Sequence, residues 1–136
     1  MIAEPTHYVT TVTGIGAESL AGGFFEGWPS PPSPDDHLRL LTHSSHCVLA
    51  VRGDDVIGFV TAISDGVLCA YIPLLEVLPV HRGSGIGSKL VRRLLAGIGP
   101  VYMIDVMCEP AVIPFYERLG FTPSTGGVIR NFGALA

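Results

Sequence analysis

The sequence predicts an α/β domain with a mixed central sheet and elements in the order β-α-α-β-β-β-α-β-α-β. Three observations carry that reading. Residues Glu76–Leu90 read as the end of a strand, a glycine turn and the start of a helix. Upstream of them, two successive hairpins make an antiparallel meander. Downstream, an apolar strand follows the helix, and a strand–helix–strand unit returns parallel by a right-handed crossover.

The elements follow in order. Tyr8–Thr13 is rich in Val and Thr and reads as a first strand, ended by Gly14-Ile-Gly16. Leu20, Phe24 and Trp28 fall at i, i+4 and i+8, so Ala17–Trp28 is expected to be a short amphipathic helix. Four prolines between Pro29 and Pro34 make a stiff loop. Asp35 is the expected N-cap of a second helix reaching about Ser44, with Leu38 and Leu41 facing inward. Cys47–Arg52 and Val56–Ile63 pair around Gly53-Asp54-Asp55, and Ser64-Asp65-Gly66 turns into a fourth strand, Val67–Leu78.

After the glycines, Ile86, Leu90, Val91, Leu94 and Leu95 line one helix face, and Lys89, Arg92 and Arg93 line the other. Gly97, Gly99 and Pro100 end that helix. Val101–Met107 is the fifth strand. Val112–Leu119 is a short helix with Gly120 as its C′ residue, and Thr125–Asn131 is expected to be a last strand before the tail fades out at Ala136. No repeat or linker interrupts residues 1–136, so one domain is expected.

Composition narrows the function. Net charge is −4 and the pI near 5.6, which argues against non-specific nucleic-acid binding. No apolar run approaches the roughly 18 residues of a membrane span, and no secretory signal is visible at the N-terminus. Cys47, Cys69 and Cys108 are odd in number and widely spaced, which fits a reduced, cytoplasmic setting. His43, His46 and Cys47 invite a metal reading. Zinc asks for about four ligands and no second pair lies near, so a polar helix end followed by a buried cysteine is expected and no metal is assigned.

Gly83, Gly85 and Gly87 let the chain turn sharply and approach another molecule closely. The first turn of the following helix offers free N–H groups and the positive end of the macrodipole, and Arg82 adds a charge. The spacing is consistent with a phosphate-bearing ligand and equally with a plain strand–helix connection. A dinucleotide fingerprint is excluded because Ser88 stands at its third glycine and no acid occurs before Asp105. A Walker loop is excluded because Lys89 follows Ser88.

Val77-x-Pro79-x-x-Arg82-Gly83-x-Gly85-Ile86-Gly87-x-x-Leu90 resembles the acyl-CoA pyrophosphate motif of the GNAT superfamily of N-acetyltransferases. Pro114-Phe115-Tyr116-Glu117-Arg118-Leu119-Gly120-Phe121 resembles that superfamily's second motif. Both occur in the right order, and the resemblance covers about residues 47 to 132. It implies a GNAT-like sheet whose strands four and five splay apart to admit the pantetheine arm of acetyl-CoA.

The resemblance also implies roles. Backbone groups of Arg82, Gly83, Ser84, Gly85, Ile86, Gly87 and Ser88 would hold the pyrophosphate. Those near Val77, Leu78 and Val80 would pair with pantetheine as an added strand, and a free N–H around Leu78 would polarise the thioester carbonyl. Tyr116 matches the family's acid, which protonates the thiolate leaving group. Glu76 is the leading candidate base, on the opposite strand face from Val77. Asp105 and Glu109 are the other carboxylates that could relay a proton or bind a cationic acceptor. The resemblance departs at Cys108-Glu109-Pro110, where many members carry an asparagine that contacts pantetheine.

The expected activity is transfer of acetyl from acetyl-CoA to a primary amine, on a small molecule or a peptide, by direct attack in a ternary complex. A non-catalytic acyl-CoA-binding or partner-binding module is the alternative. Another phosphate ligand on the glycine loop is a third reading. The edge expected at Thr125–Asn131 points to a homodimer.

Overall fold

The computed structural model describes residues 4–135, so the ends of the predicted 1–136 domain lie outside the described residues. Among the described residues, six strands form one mixed sheet: β1 (His7–Val9), β2 (His46–Arg52), β3 (Asp55–Ser64), β4 (Cys69–Ile72), β5 (Leu75–Val77) and β6 (Met103–Val106). The sheet runs β1-β2-β3-β4-β6, with β5 also paired to β3. All pairs are antiparallel except β4 with β6, which are parallel as the crossover rule requires.

Strands β2 and β3 are buried on both faces, so their sequences read as continuous apolar runs and not as alternating ones. One face packs against α2 (Ile86–Ile98), which buries Ile86, Leu90, Val91 and Leu94 on Val48, Ala50, Val60 and Ala62. Each such side chain contributes about 1.5–3 kcal/mol of burial. The other face is covered by residues 17–28 and by α1 (Pro34–His43), with Leu20, Phe25 and Leu41 over Leu49 and Phe59.

Several sequence expectations change. The first strand stops at Val9. The helix expected over Ala17–Trp28 is one 3-10 turn, Ala17–Leu20, followed by turns. Its glycines explain this: Gly23 and Gly27 sit at φ +110° and +84°, outside helical space, and Phe25 itself sits at +63°. Ser33 is the N-cap of α1 in place of Asp35; its Oγ accepts the N–H of Asp36 at 3.1 Å, and Pro34 opens the first turn.

The fourth strand is also not continuous. Tyr71 faces Ile63, but Leu75 faces Val60, one residue out of register. The extra residue is a bulge at Pro73-Leu74, a place where a proline without an N–H is tolerated. Glu76 would otherwise share the α2 face with Ile72. The bulge turns it to the α1 face.

The last expected strand, Thr125–Asn131, does not form. Residues 121–131 run without ladder pairing, and Gly126-Gly127 favours neither burial nor a regular strand. The outer strand on that side is β6, so the edge on which the homodimer expectation rested is absent from the described residues. The second motif forms a 3-10 turn, Pro110–Val112, and α3 (Ile113–Glu117), with Gly120 at φ +97° just beyond.

Candidate active site

The site begins where β5 leaves its neighbour. Strands β4 and β6 pair as far as Ile72 and Val106, after which β5 stays on β3 and residues 107–109 turn away. The N–H of Leu78 donates to the carbonyl of Ile57 at 2.9 Å, and the carbonyl of Leu78 accepts from His81. Both groups of Leu78 are thereby used, so the free N–H expected around Leu78 is not its own. Antiparallel alternation turns the N–H of Val77 the other way, into the gap. The Val77 carbonyl is occupied by Arg82 Nε at 2.8 Å. Val80 is 86% exposed on a 3-10 turn, Pro79–His81, at the mouth of the gap.

The glycine loop follows, and a Cβ at Gly87 would lie 3.9 Å from the Val77 side chain. Gly83 and Gly85 take φ +83° and +86°, and Gly85 is the left-handed N-cap of α2. Among the described residues no side chain caps α2, so the N–H groups of Ile86, Gly87 and Ser88 at its first turn are open to an anion. A Cβ at Gly87 would lie 3.5 Å from the Phe115 ring, an ordinary contact. The Ser84 hydroxyl instead donates to the carbonyl of His81 at 2.9 Å.

Beyond the gap lies a cavity of about 500 Å³ bounded by Trp28, the Pro73–Glu76 bulge, Cys108, Glu109 and Tyr116. Glu76 and Tyr116, which are 40 positions apart in the chain, thus share one chamber. Oε1 of Glu76 accepts the N–H of Phe25 at 3.0 Å, while Oε2 is buried with no partner among the described residues. Burial raises the Glu76 pKa, opposed by the Phe25 N–H and by the charge of Arg82. A lone buried oxygen costs about 1–3 kcal/mol.

Tyr116 is only 6% exposed and stacks edge-on against Phe115 and Phe121. Burial, with Cys108 second, pushes its pKa up to about 12. The other two carboxylates differ. Asp105 is on the exposed face of β6 and bounds a neighbouring cavity, whereas Glu109 bounds the Glu76 chamber. Among the described residues no group of three or more potential metal ligands occurs. Cys47 lies in the sheet, its thiol facing the carbonyl of Thr10.

The family model of the acetyltransferase (GNAT) family matches residues 16–121, which include the glycine loop, β6 and α3. The chain belongs to the GNAT acetyltransferase family.

Similar proteins agree with that membership. The crystal structure of the "putative acetyltransferase" of Deinococcus radiodurans R1 is 44% identical, covers 96% of this chain and 91% of its own, and superposes with a TM-score of 0.93. The uncharacterized N-acetyltransferase ycf52 of Porphyra purpurea is 30% identical over 112 residues, 78% of this chain and 64% of its own length. This chain therefore spans just under two thirds of that curated relative. An aminoglycoside N-acetyltransferase, AAC(6')-Iy in complex with CoA, shares the fold at a TM-score of 0.65 and 17% identity, over 96% of this chain and 98% of its own.

Against that GNAT frame, sequence reasoning missed Phe25, whose backbone N–H holds the chamber residue Glu76. Phe25 is 2% exposed and contacts Trp28, His37 and Phe59, yet the helical spacing of Leu20, Phe24 and Trp28 skips it. Only the glycines at 22, 23 and 27 signalled that a helical period was unsafe there.

Proposed function

We propose that this chain transfers the acetyl group of acetyl-CoA to a primary amine, by direct attack of the amine on the thioester. The observation that carries the reading is the continuity of three features. A loop of free N–H groups at Gly83–Ser88 leads to an unpaired strand edge at Val77, and that edge leads to a chamber holding Glu76 and Tyr116. The residues present suit a CoA thioester: the α2 N-terminus and Arg82 suit its pyrophosphate, and the Val77 N–H suits a carbonyl oxygen.

Each residue then has a task. The Val77 N–H, fixed by the sheet, stabilises the oxygen that gains charge on attack. Glu76 accepts the proton of the acceptor ammonium at its free Oε2, directly or through water. Its raised pKa makes it a stronger base than an ordinary carboxylate. Tyr116 meets the departing thiolate. Burial pushes its pKa up to about 12, which disfavours complete proton transfer to a thiolate. Tyr116 therefore serves best as a hydrogen-bond donor to the developing negative sulfur.

Calorimetric titration with acetyl-CoA, desulfo-CoA and a nucleotide-only analogue tests the reading. Saturable acetyl-CoA binding that weakens when the pantetheine arm is removed is expected, followed by turnover in a screen of amines. Absence of binding at millimolar acetyl-CoA would overturn it. Binding without turnover across a broad panel would favour the non-catalytic module.

A further inference from the structure

Cys108 has no part in the chemistry above, yet it is an exposed thiol on the wall of the chamber. It lies two residues beyond β6, on the side of the gap opposite the β5 edge. A second observation marks the spot as one that receives a ligand. Tyr116 is 94% buried by its 6% exposure, its hydroxyl has no partner among the described residues, and it opens into the same chamber. The other two cysteines differ from Cys108: Cys47 is buried in the sheet, and Cys69 lies on β4 with its thiol turned to the Asp65 carboxylate.

We propose that Cys108 is a covalent modification site that forms a mixed disulfide with CoA, placing the enzyme under control of the oxidised CoA pool. The proposal rests on the acetyl-CoA reading above, because it requires the cofactor thiol to arrive beside Tyr116. The step is thiol–disulfide exchange with CoA disulfide as co-reactant. The Cys108 thiolate attacks one sulfur of the disulfide, the old S–S bond breaks, and the new bond joins Cys108 to one CoA. The second CoA leaves as a thiolate and takes up the proton that Cys108 released. No other oxidant is required. The bound half occupies the loop and the gap, so the product blocks its own active site until a reducing thiol reverses the exchange. Docking at the glycine loop raises the effective concentration of the disulfide at Cys108, which distinguishes CoA disulfide from small disulfides that lack a pyrophosphate.

The test is intact-mass analysis of the full chain after incubation with CoA disulfide or with glutathione disulfide, followed by peptide mapping. The expected result is one CoA adduct on Cys108, formed on the order of tenfold faster than the glutathione adduct, slowed by desulfo-CoA, and reversed by dithiothreitol. Cys108→Ser, at an exposed position, is expected to bind acetyl-CoA as the parent does and to take no adduct. Equal rates with the two disulfides, no protection by desulfo-CoA, or an adduct on Cys69 would overturn the proposal. Calorimetry keeps the two readings apart. Normal acetyl-CoA binding with no selective adduct refutes the modification alone, whereas no binding refutes the acetyltransferase reading.

Discussion

The backbone N–H of Phe25 donates to Oε1 of Glu76 at 3.0 Å, joining the loop over one sheet face to the strand edge that faces the gap. Phe25 holds a left-handed backbone at φ +63° to do so. One carboxylate oxygen thereby anchors the Phe25 loop, and the other is buried with no partner among the described residues. A single side chain thus ties the Phe25 loop to the chamber wall and, in the proposed function, supplies the base.

Glu76→Gln separates those two tasks. The amide oxygen can still accept from Phe25, so stability and acetyl-CoA affinity should hold. The rate at saturating amine should fall about 10²–10⁴-fold. Because the Glu76 pKa is raised, the parent should lose activity as pH falls through a value above the ordinary carboxylate range, where the base becomes protonated. The variant should lack that limb. A pH–rate profile identical to the parent's would remove Glu76 from the role.

Tyr116→Phe keeps the edge-on packing against Phe115 and Phe121 and removes only the hydroxyl. Loss of one donor to a developing charge should lower kcat about 10²–10³-fold with acetyl-CoA binding unchanged. Thioesters with better leaving thiols should show a smaller loss. An unchanged kcat would mean that the phenol serves packing alone.

Two glycine variants should part stability from binding. Gly85→Ala forces a Cβ into φ +86° and should cost about 1–2 kcal/mol in denaturant unfolding. Gly87 is helical and a methyl there meets Phe115 only at ordinary contact distance. Gly87→Ala should leave stability level or raise it by up to about 1 kcal/mol, while a methyl at the open first turn weakens acetyl-CoA binding in calorimetry. Equal binding by Gly87→Ala and the parent would argue against close approach of the pyrophosphate.

His37 offers a pH test of the fold alone. It is 1% exposed among Phe24, Phe25 and Phe59, and burial holds its pKa down to about 4 from 6.5. The unfolded chain takes up the proton near 6.5 while the folded chain resists it until about 4. Stability should therefore fall as pH drops through that window and level off below it. His37→Phe should flatten this dependence, read as urea midpoints across the window. A parallel decline in parent and variant would show that other groups drive it.

Much was legible in the sequence because it rests on local chemistry. The α2 stripe, the glycines at 83 and 85, the meander of β2 and β3 and the parallel return of β6 follow from residue spacing and turn composition. The motif pair named the family before any coordinates. Tertiary packing decided the rest. A bulge of one residue at Pro73-Leu74 set the face on which Glu76 lies, and periodicity cannot register an insertion that pairing alone defines. Phe25 reached the core through a left-handed backbone that no helical spacing encodes. Leu78 spent its N–H on Ile57, leaving Val77 to face the gap, because hydrogen-bond direction belongs to the sheet and not to the strand. The residue types of the site are local facts. Their convergence in one chamber is a consequence of pairing and burial between segments far apart in the chain.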